Sequence, residues 1–186
     1  IKNDEFKVLW NSNIISSKGF FETCEAIKYL NLKGFKVNFI VLGEPYSDKE
    51  LSIKAVVRRL KIFESEKWFK RFFIIERKSL KDILLNVNAV ILPSTYSSEC
   101  QPLSIIEGMV FCKHIIVNDT EALKSTISKY PSQLVKRDKL SIADGIINCI
   151  KTDRNNLDLR IKGGKKAYKR FAYSEFKKKI KSIFNQ

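Results

Sequence analysis

The stretch PSTYSSECQPLSIIEGM, residues 93–109, sets two carboxylates, Glu99 and Glu107, eight positions apart with Pro102 between them. It continues the apolar run AVILPS and leads into a segment of helical period, so the pair brackets a strand-to-helix turn. A proline suits the first position of a helix, where its missing N–H costs nothing, and Pro102 is predicted there. The amides of Leu103, Ser104 and Ile105 then fill a first turn without partners inside the helix. Together with the helix dipole they form a site for a phosphate or another anion. Each carboxylate beside such a site can accept two hydroxyl hydrogens from a diol such as a ribose or a sugar ring. A ligand with both phosphate and hydroxyls fits this pattern. An isolated Glu-x7-Glu pair also has a plainer reading, in which Glu99 helps to cap the helix and Glu107 is an exposed helix residue.

A second segment adds a cation. The loop NSNIISSKGF places Lys18 and Gly19 directly after an apolar run and directly before another helical stretch. That sets a positive charge and a second helix N-terminus at the same edge of a sheet, where Lys18 is a point-charge partner for a phosphate.

The elements that must position these residues alternate along the chain. Strand-like runs are FKVLWNS (6–12), KVNFIVLG (36–43), RFFII (71–75), AVILPS (89–94), HIIVND (114–119) and a weaker SQLVKRD (132–138). Between them lie GFFETCEAIKYLNLKG, with Gly34 as its stop, a helical stretch from about Lys49 to Ile62, the short SLKDILLNVN with Ser79 as N-cap, and PLSIIEGMVF. KLSIADGIINCIK, NLDLRIKGGKKAYKRF and SEFKKKIKSIFNQ follow, the last with Phe176, Ile180 and Ile183 in one apolar stripe. Strands alternating with helices predict right-handed βαβ units. The expected fold is α/β: one Rossmann-like, doubly wound domain with a mainly parallel six-stranded sheet. In such sheets ligands bind beyond the carboxyl ends of the strands.

Composition narrows the function classes. The chain has 186 residues and 44% hydrophobic content, enough for one continuous core. No apolar run approaches the ~18 residues of a membrane span. The start, IKNDEF, is polar and acidic, unlike a signal segment, and the lack of an initial methionine suggests a piece of a longer protein. Four scattered cysteines without a C-x-x-C pair argue for reduced thiols in a cytosolic setting. One histidine, His114, and no D-x-D pair argue against a metal centre. The net charge is +15, and residues 151–186 carry twelve Lys or Arg against three acids. Such a tail suits an anionic membrane surface, nucleic acid or an acidic neighbouring domain, although a solvated lysine-rich face explains it equally. No helix-turn-helix, zinc finger or RNP signature supports a nucleic-acid-binding module.

On SKGF after the first strand, LGEP after the second, AVILPSTYSSECQPLSIIEGM and HIIVND, nearly the whole chain resembles one family. It is similar to the carboxyl-terminal, nucleotide-sugar-binding half of GT-B fold retaining glycosyltransferases of family 4, the glycosyl transferases group 1, in the variant found in bacterial surface polysaccharide assembly. The resemblance implies that Glu99 lies near the hydroxyls of the transferred sugar, that Glu107 binds the ribose and that Lys18, followed by Gly19, holds the diphosphate. It places diphosphate or sugar oxygens on the amides around Gln101, Pro102, Leu103 and Ser104. Asn13 stands where the family has an arginine, which removes one positive charge. Gln101-Pro102 replaces a Phe-Gly, and Thr120-Glu121-Ala122 replaces a Gly-Gly turn. His114 stands at a position that is commonly proline and is read as structural.

The implied activity is transfer of a hexosyl group from a UDP- or GDP-sugar to a glycan or lipid-linked acceptor, with an α linkage, no metal and no further cofactor. The acceptor belongs mainly to an amino-terminal half that 186 residues cannot also hold, so this half alone is expected to be inactive. The last helix, about 174–186, is expected to pack on that missing half. The expected location is cytoplasmic, peripheral at the inner face of a bacterial membrane. The competing class is a basic nucleic-acid-binding or otherwise non-catalytic α/β module; an epimerase of similar architecture would need more acid/base residues than one histidine offers.

Overall fold

The computed structural model describes residues 5–72, 80–153, 155–175 and 177. Among them, β1 (Phe6–Asn11), β2 (Val37–Leu42), β3 (Phe69–Phe72), β4 (Ala89–Leu92), β5 (His114–Asn118) and β6 (Ser132–Val135) form one sheet. Its order is β3-β2-β1-β4-β5-β6, and every pairing is parallel. The helices are α1 (Phe20–Leu32), α2 (Ile53–Glu64), α3 (Leu80–Leu85), α4 (Leu103–Val110), α5 (Glu121–Ile127), α6 (Lys139–Thr152) and α7 (Leu157–Phe171). This is the doubly wound Rossmann-like fold expected from the sequence.

Central strands of a parallel sheet are covered on both faces, so they read as unbroken apolar runs. All four residues of β4 and all five of β5 are buried. Against one face, Trp10, Phe20, Phe39 and Phe69 make a chain of tilted and edge-on rings with centroids 5.1–5.9 Å apart. On α4, Gly108 lets the helix lie close to the sheet, because a Cβ there would meet Val90 and Ile115 side chains at 2.8 Å. That close seat fixes the height of neighbouring Glu107. α6 packs on α1 and α7 on α4, which completes the two helical layers.

Several boundaries differ from expectation. β3 starts at Phe69, two residues before the predicted RFFII, because Phe69 enters the aromatic cluster and pairs with Phe39; residues 73–75 lie outside the described ones. α2 starts at Ile53 rather than near Lys49. The Asp48 carboxylate accepts from the amides of Glu50 and Leu51, which holds them in a turn, and the Ser52 hydroxyl caps the helix through Ala55 N. α5 was not expected at all. The predicted cap at Ser79 and most of the final segment, about 174–186, fall outside the described residues.

Candidate functional site

The strand order reverses between β1 and β4, and the loops leaving these two strands carry Lys18 and Glu99. After β1 the chain makes one 3₁₀ turn, Ser16–Lys18, and enters α1 through Gly19. Gly19 sits at φ 80°, in the left-handed region, and a Cβ there would meet Pro93 at 2.8 Å. Only glycine brings this turn so close to the end of β4.

The turn is tied down on both sides. Ser17 N donates to Asp48 Oδ2 (2.8 Å), and Ser17 O accepts from the Thr95 amide (2.9 Å) and hydroxyl (3.1 Å). Burial raises the Asp48 carboxyl's pKa, but the amides of Ser17, Leu51 and Glu50 outweigh it and hold the group below its usual range. Arg137, after β6, reaches over the same turn. It bonds Glu50 (2.8 Å) and lies 3.4 Å from Glu22 in the first turn of α1.

So fixed, Lys18 points along the sheet edge. Its Nζ lies 3.2 Å from Glu99 Oε2, donates to Ser12 Oγ (2.9 Å) and stands 5.5 Å from the centre of the Tyr96 ring. Lys18 and Glu99 side chains are only 14% and 12% exposed. Glu99 Oε2 is shielded from solvent, and its contact with Lys18 lies off the line of a hydrogen bond. The carboxylate therefore keeps lone pairs to offer. Glu107, on α4, accepts from Asn11 Nδ2 at the end of β1 (3.2 Å).

The structure thus brings Lys18, Gly19, Glu99 and Glu107 to one edge of the sheet, around the start of α4. Pro102 is the N-cap of that helix and not its first residue, at φ −68° and ψ 118°. Its carbonyl accepts from Ile105 N (3.1 Å) and Ile106 N (3.3 Å). This corrects the predicted amide set: Ile105 N is engaged, and the amides of Leu103 and Ser104 are the ones without a partner among the described residues. Ser104 is 8% exposed and Leu103 is exposed, as is Gln101 on the approach. Asn13 is exposed on the first loop. Thr120 stands at the N-cap position of α5 without a side-chain capping bond, and Glu121 bonds Lys124 (2.8 Å).

Asn11, Ser12, Asp48, Thr95 and Tyr96 were not singled out in the sequence. Polar residues at the ends of strands are their common signal. His114 lies at the opposite, amino edge of the sheet. Its Nε2 pairs with Asp153 Oδ1 (2.8 Å) and Nδ1 with Arg160 Nη1 (3.2 Å), while Arg160 also donates to Cys112 O (3.0 Å). The histidine joins β5 to α7 and is far in the fold from the edge that carries Lys18. No group of three or more His, Cys, Asp or Glu among the described residues is arranged to hold a metal ion, and no described helix is long and apolar enough to cross a membrane.

Comparison with known proteins agrees with this architecture. The structure of Alr3699/HepE from Anabaena in complex with UDP and glucose superposes with a TM-score of 0.80 at 16% identity, over 98% of this chain and 48% of that one. Sucrose-phosphate synthase from Thermosynechococcus elongatus gives 0.76 at 17%, over 98% and 45%. The C-terminal domain of the group 1 glycosyl transferase LpcC from Francisella tularensis gives 0.66 at 20%, over 89% and 85%. The chain spans about half the length of the first two. No curated protein is significantly similar in sequence. Residues 1–174 match the family described as glycosyl transferases group 1, and the chain belongs to that family.

Proposed function

We propose that this chain is the donor-binding half of a retaining, metal-independent glycosyltransferase of family 4 type, using a UDP- or GDP-sugar. The single observation behind this reading is the grouping of Lys18 and Glu99, on the loops where the strand order reverses, with Glu107 on the adjoining helix α4. The nucleotide and the UDP-glucose bound by the solved relative from Anabaena agree with it.

In this reading Glu107, steadied by Asn11, takes the ribose hydroxyls. Lys18, with the amides of Gly19, Leu103 and Ser104, takes the diphosphate, and Gln101 and Pro102 shape its approach. Negative charge grows on the diphosphate as the sugar–phosphate bond breaks, and a preset cation and helix amides stabilise it without reorganising. Glu99 orients the sugar hydroxyls and favours positive charge at the anomeric carbon. Asn13 contributes no charge, so Lys18 is the main side-chain cation of the diphosphate site. The acceptor, a glycan or lipid-linked sugar of a bacterial surface polysaccharide, belongs to a second half, and without it this chain binds donor but does not transfer. The setting is the cytoplasmic side of a membrane.

Calorimetric titration of UDP, GDP and their sugars tests this. Saturable binding of one nucleotide is expected, weakened about tenfold or more by Lys18→Ala and largely kept by Lys18→Arg. Absence of binding by all of them, or equal losses in the two variants, would count against the reading.

A further inference from the structure

The basic end of the chain has a defined surface. α7 buries Arg160, Gly163, Gly164 and Ala167 against α4 and the segment before β6. Its opposite side carries Lys162, Lys165, Lys166 and Lys169, at i, i+3, i+4 and i+7, so four cations share one face. None of them pairs with a carboxylate among the described residues, and Asp158 is the one acid of the helix. Exposed apolar groups flank the row: Leu159 is 54% and Tyr168 65% exposed. Unpaired cations beside exposed apolar groups suit an anionic interface, where both kinds of group gain contacts.

Beside this row, α4, α5 and α7 border a surface pocket of about 120 Å³. Met109, Ile127, Tyr130, Ala167 and Phe171 give it an apolar floor. Lys129, Lys166 and Arg170 stand around it. The Arg170 guanidinium is fixed there, donating to Ser125 O (3.0 Å) and Thr126 O (3.2 Å) while lying 4.8 Å over the Phe171 ring. Covering that apolar floor with an apolar group removes it from water, which is favourable. A ligand suited to both features has a negative head and an apolar end.

We propose that the outward face of α7, with the pocket it shares with α4 and α5, docks on an anionic phospholipid surface, the lysine row taking headgroup phosphates and the pocket the end of one acyl chain. This site is separate from the nucleotide site, and it stands or falls independently of the donor reading.

The test is sedimentation of the chain with vesicles of phosphatidylcholine alone and of phosphatidylcholine mixed with phosphatidylglycerol. Binding is expected only with the anionic lipid, and UDP binding should be unaffected. Replacing Lys162, Lys165 and Lys169 with Gln should weaken partitioning on the order of a hundredfold, since each cation near such a surface contributes about a factor of five. The same change at Lys54, Arg58 and Lys61, which line a groove on α2 on the other helical layer, should leave it nearly unchanged. Ala167→Leu, which fills the pocket, should weaken binding about tenfold. In case that variant folds poorly, hydrogen exchange of the unaltered chain gives a second reading: short-chain phosphatidylglycerol should slow amides at 126–130 and 166–171.

Equal binding to both vesicles, equal losses from the α2 and α7 variants, or tight RNA binding without vesicle binding would overturn the proposal. Loss in the lysine variant without protection at 126–130 would overturn the acyl-chain part of it.

Discussion

Asn11 Nδ2 donates to Glu107 Oε2 at 3.2 Å, joining the last residue of β1 to the middle of α4 across 96 positions of sequence. The bond helps to select which way the Glu107 carboxylate faces. In Asn11→Ala the orientation is lost, and UDP affinity should fall about fivefold to tenfold. In Asn11→Asp two carboxylates face each other, so the loss should be larger and should shrink as pH falls. Calorimetry checks both. Unchanged UDP binding in Asn11→Asp would mean that Glu107 does not touch the nucleotide.

Gly19 and Gly34 offer a controlled comparison, since both have positive φ, 80° and 86°. A Cβ on Gly34 has nothing within 4 Å, so Gly34→Ala should cost only the left-handed strain, about 1 kcal/mol. A Cβ on Gly19 meets Pro93 at 2.8 Å and Arg137 at 3.1 Å. Gly19→Ala should therefore cost roughly 3 kcal/mol or more, and it should also displace Lys18. Urea denaturation of both variants measures the difference. Equal costs would show that the turn after β1 can move away from β4 freely.

Much of this was legible in the sequence because the fold writes itself locally. Buried parallel strands appear as unbroken apolar runs, and turns before helices carry the residues that helix termini need. Lys18, Gly19, Glu99 and Glu107 stood out for that reason. α5 did not, since seven residues with only Leu123, Thr126 and Ile127 buried show too little period to separate from a loop. Pro102 was displaced by one position because its carbonyl, rather than its ring, sets the start of the hydrogen-bonded turn. The supports are the illegible part. Asp48 meets Ser17 across 31 positions and Arg160 meets His114 across 46, and neither partner's type announces the other.

That buried pairing gives the chain a pH dependence with a definite sign. Burial pushes His114 below the ordinary histidine value, a hydrogen bond to Asp153 raises it in part, and the Arg160 guanidinium lowers it again. The native chain thus holds the imidazole neutral, while the unfolded chain protonates near about 6.5. Stability from this group is fully present above about 6.5 and is lost as pH falls through the lower, folded value. Asp153 behaves likewise at lower pH. The hydrogen bond from His114 is the main cause that lowers it, against burial, so its contribution is lost as pH falls through its own depressed value. Denaturation midpoints measured from neutral to acid pH should show two declines. His114→Gln should remove the first and shrink the second, because the imidazole is the main group that lowers Asp153; an unaltered first decline would assign it elsewhere.

The Lys18–Glu99 pair should couple asymmetrically. Both side chains are nearly enclosed, but their remaining partners differ. In Glu99→Gln, Lys18 keeps the Ser12 hydroxyl and the Tyr96 ring, so the cost should be about 1 kcal/mol. In Lys18→Met, the Glu99 carboxylate loses the charge beside it, and an unpaired, shielded carboxylate costs more, roughly 2–3 kcal/mol. The double variant removes both charges together and should cost about 1 kcal/mol less than the sum of the two. A double-mutant cycle in urea measures this, with UDP titration beside it: all variants lacking the Lys18 cation should bind UDP weakly, whatever stands at 99. Additive stabilities would show that the two charges ignore each other, and recovery of UDP binding in the double variant would show that Glu99 repels the diphosphate more than Lys18 attracts it.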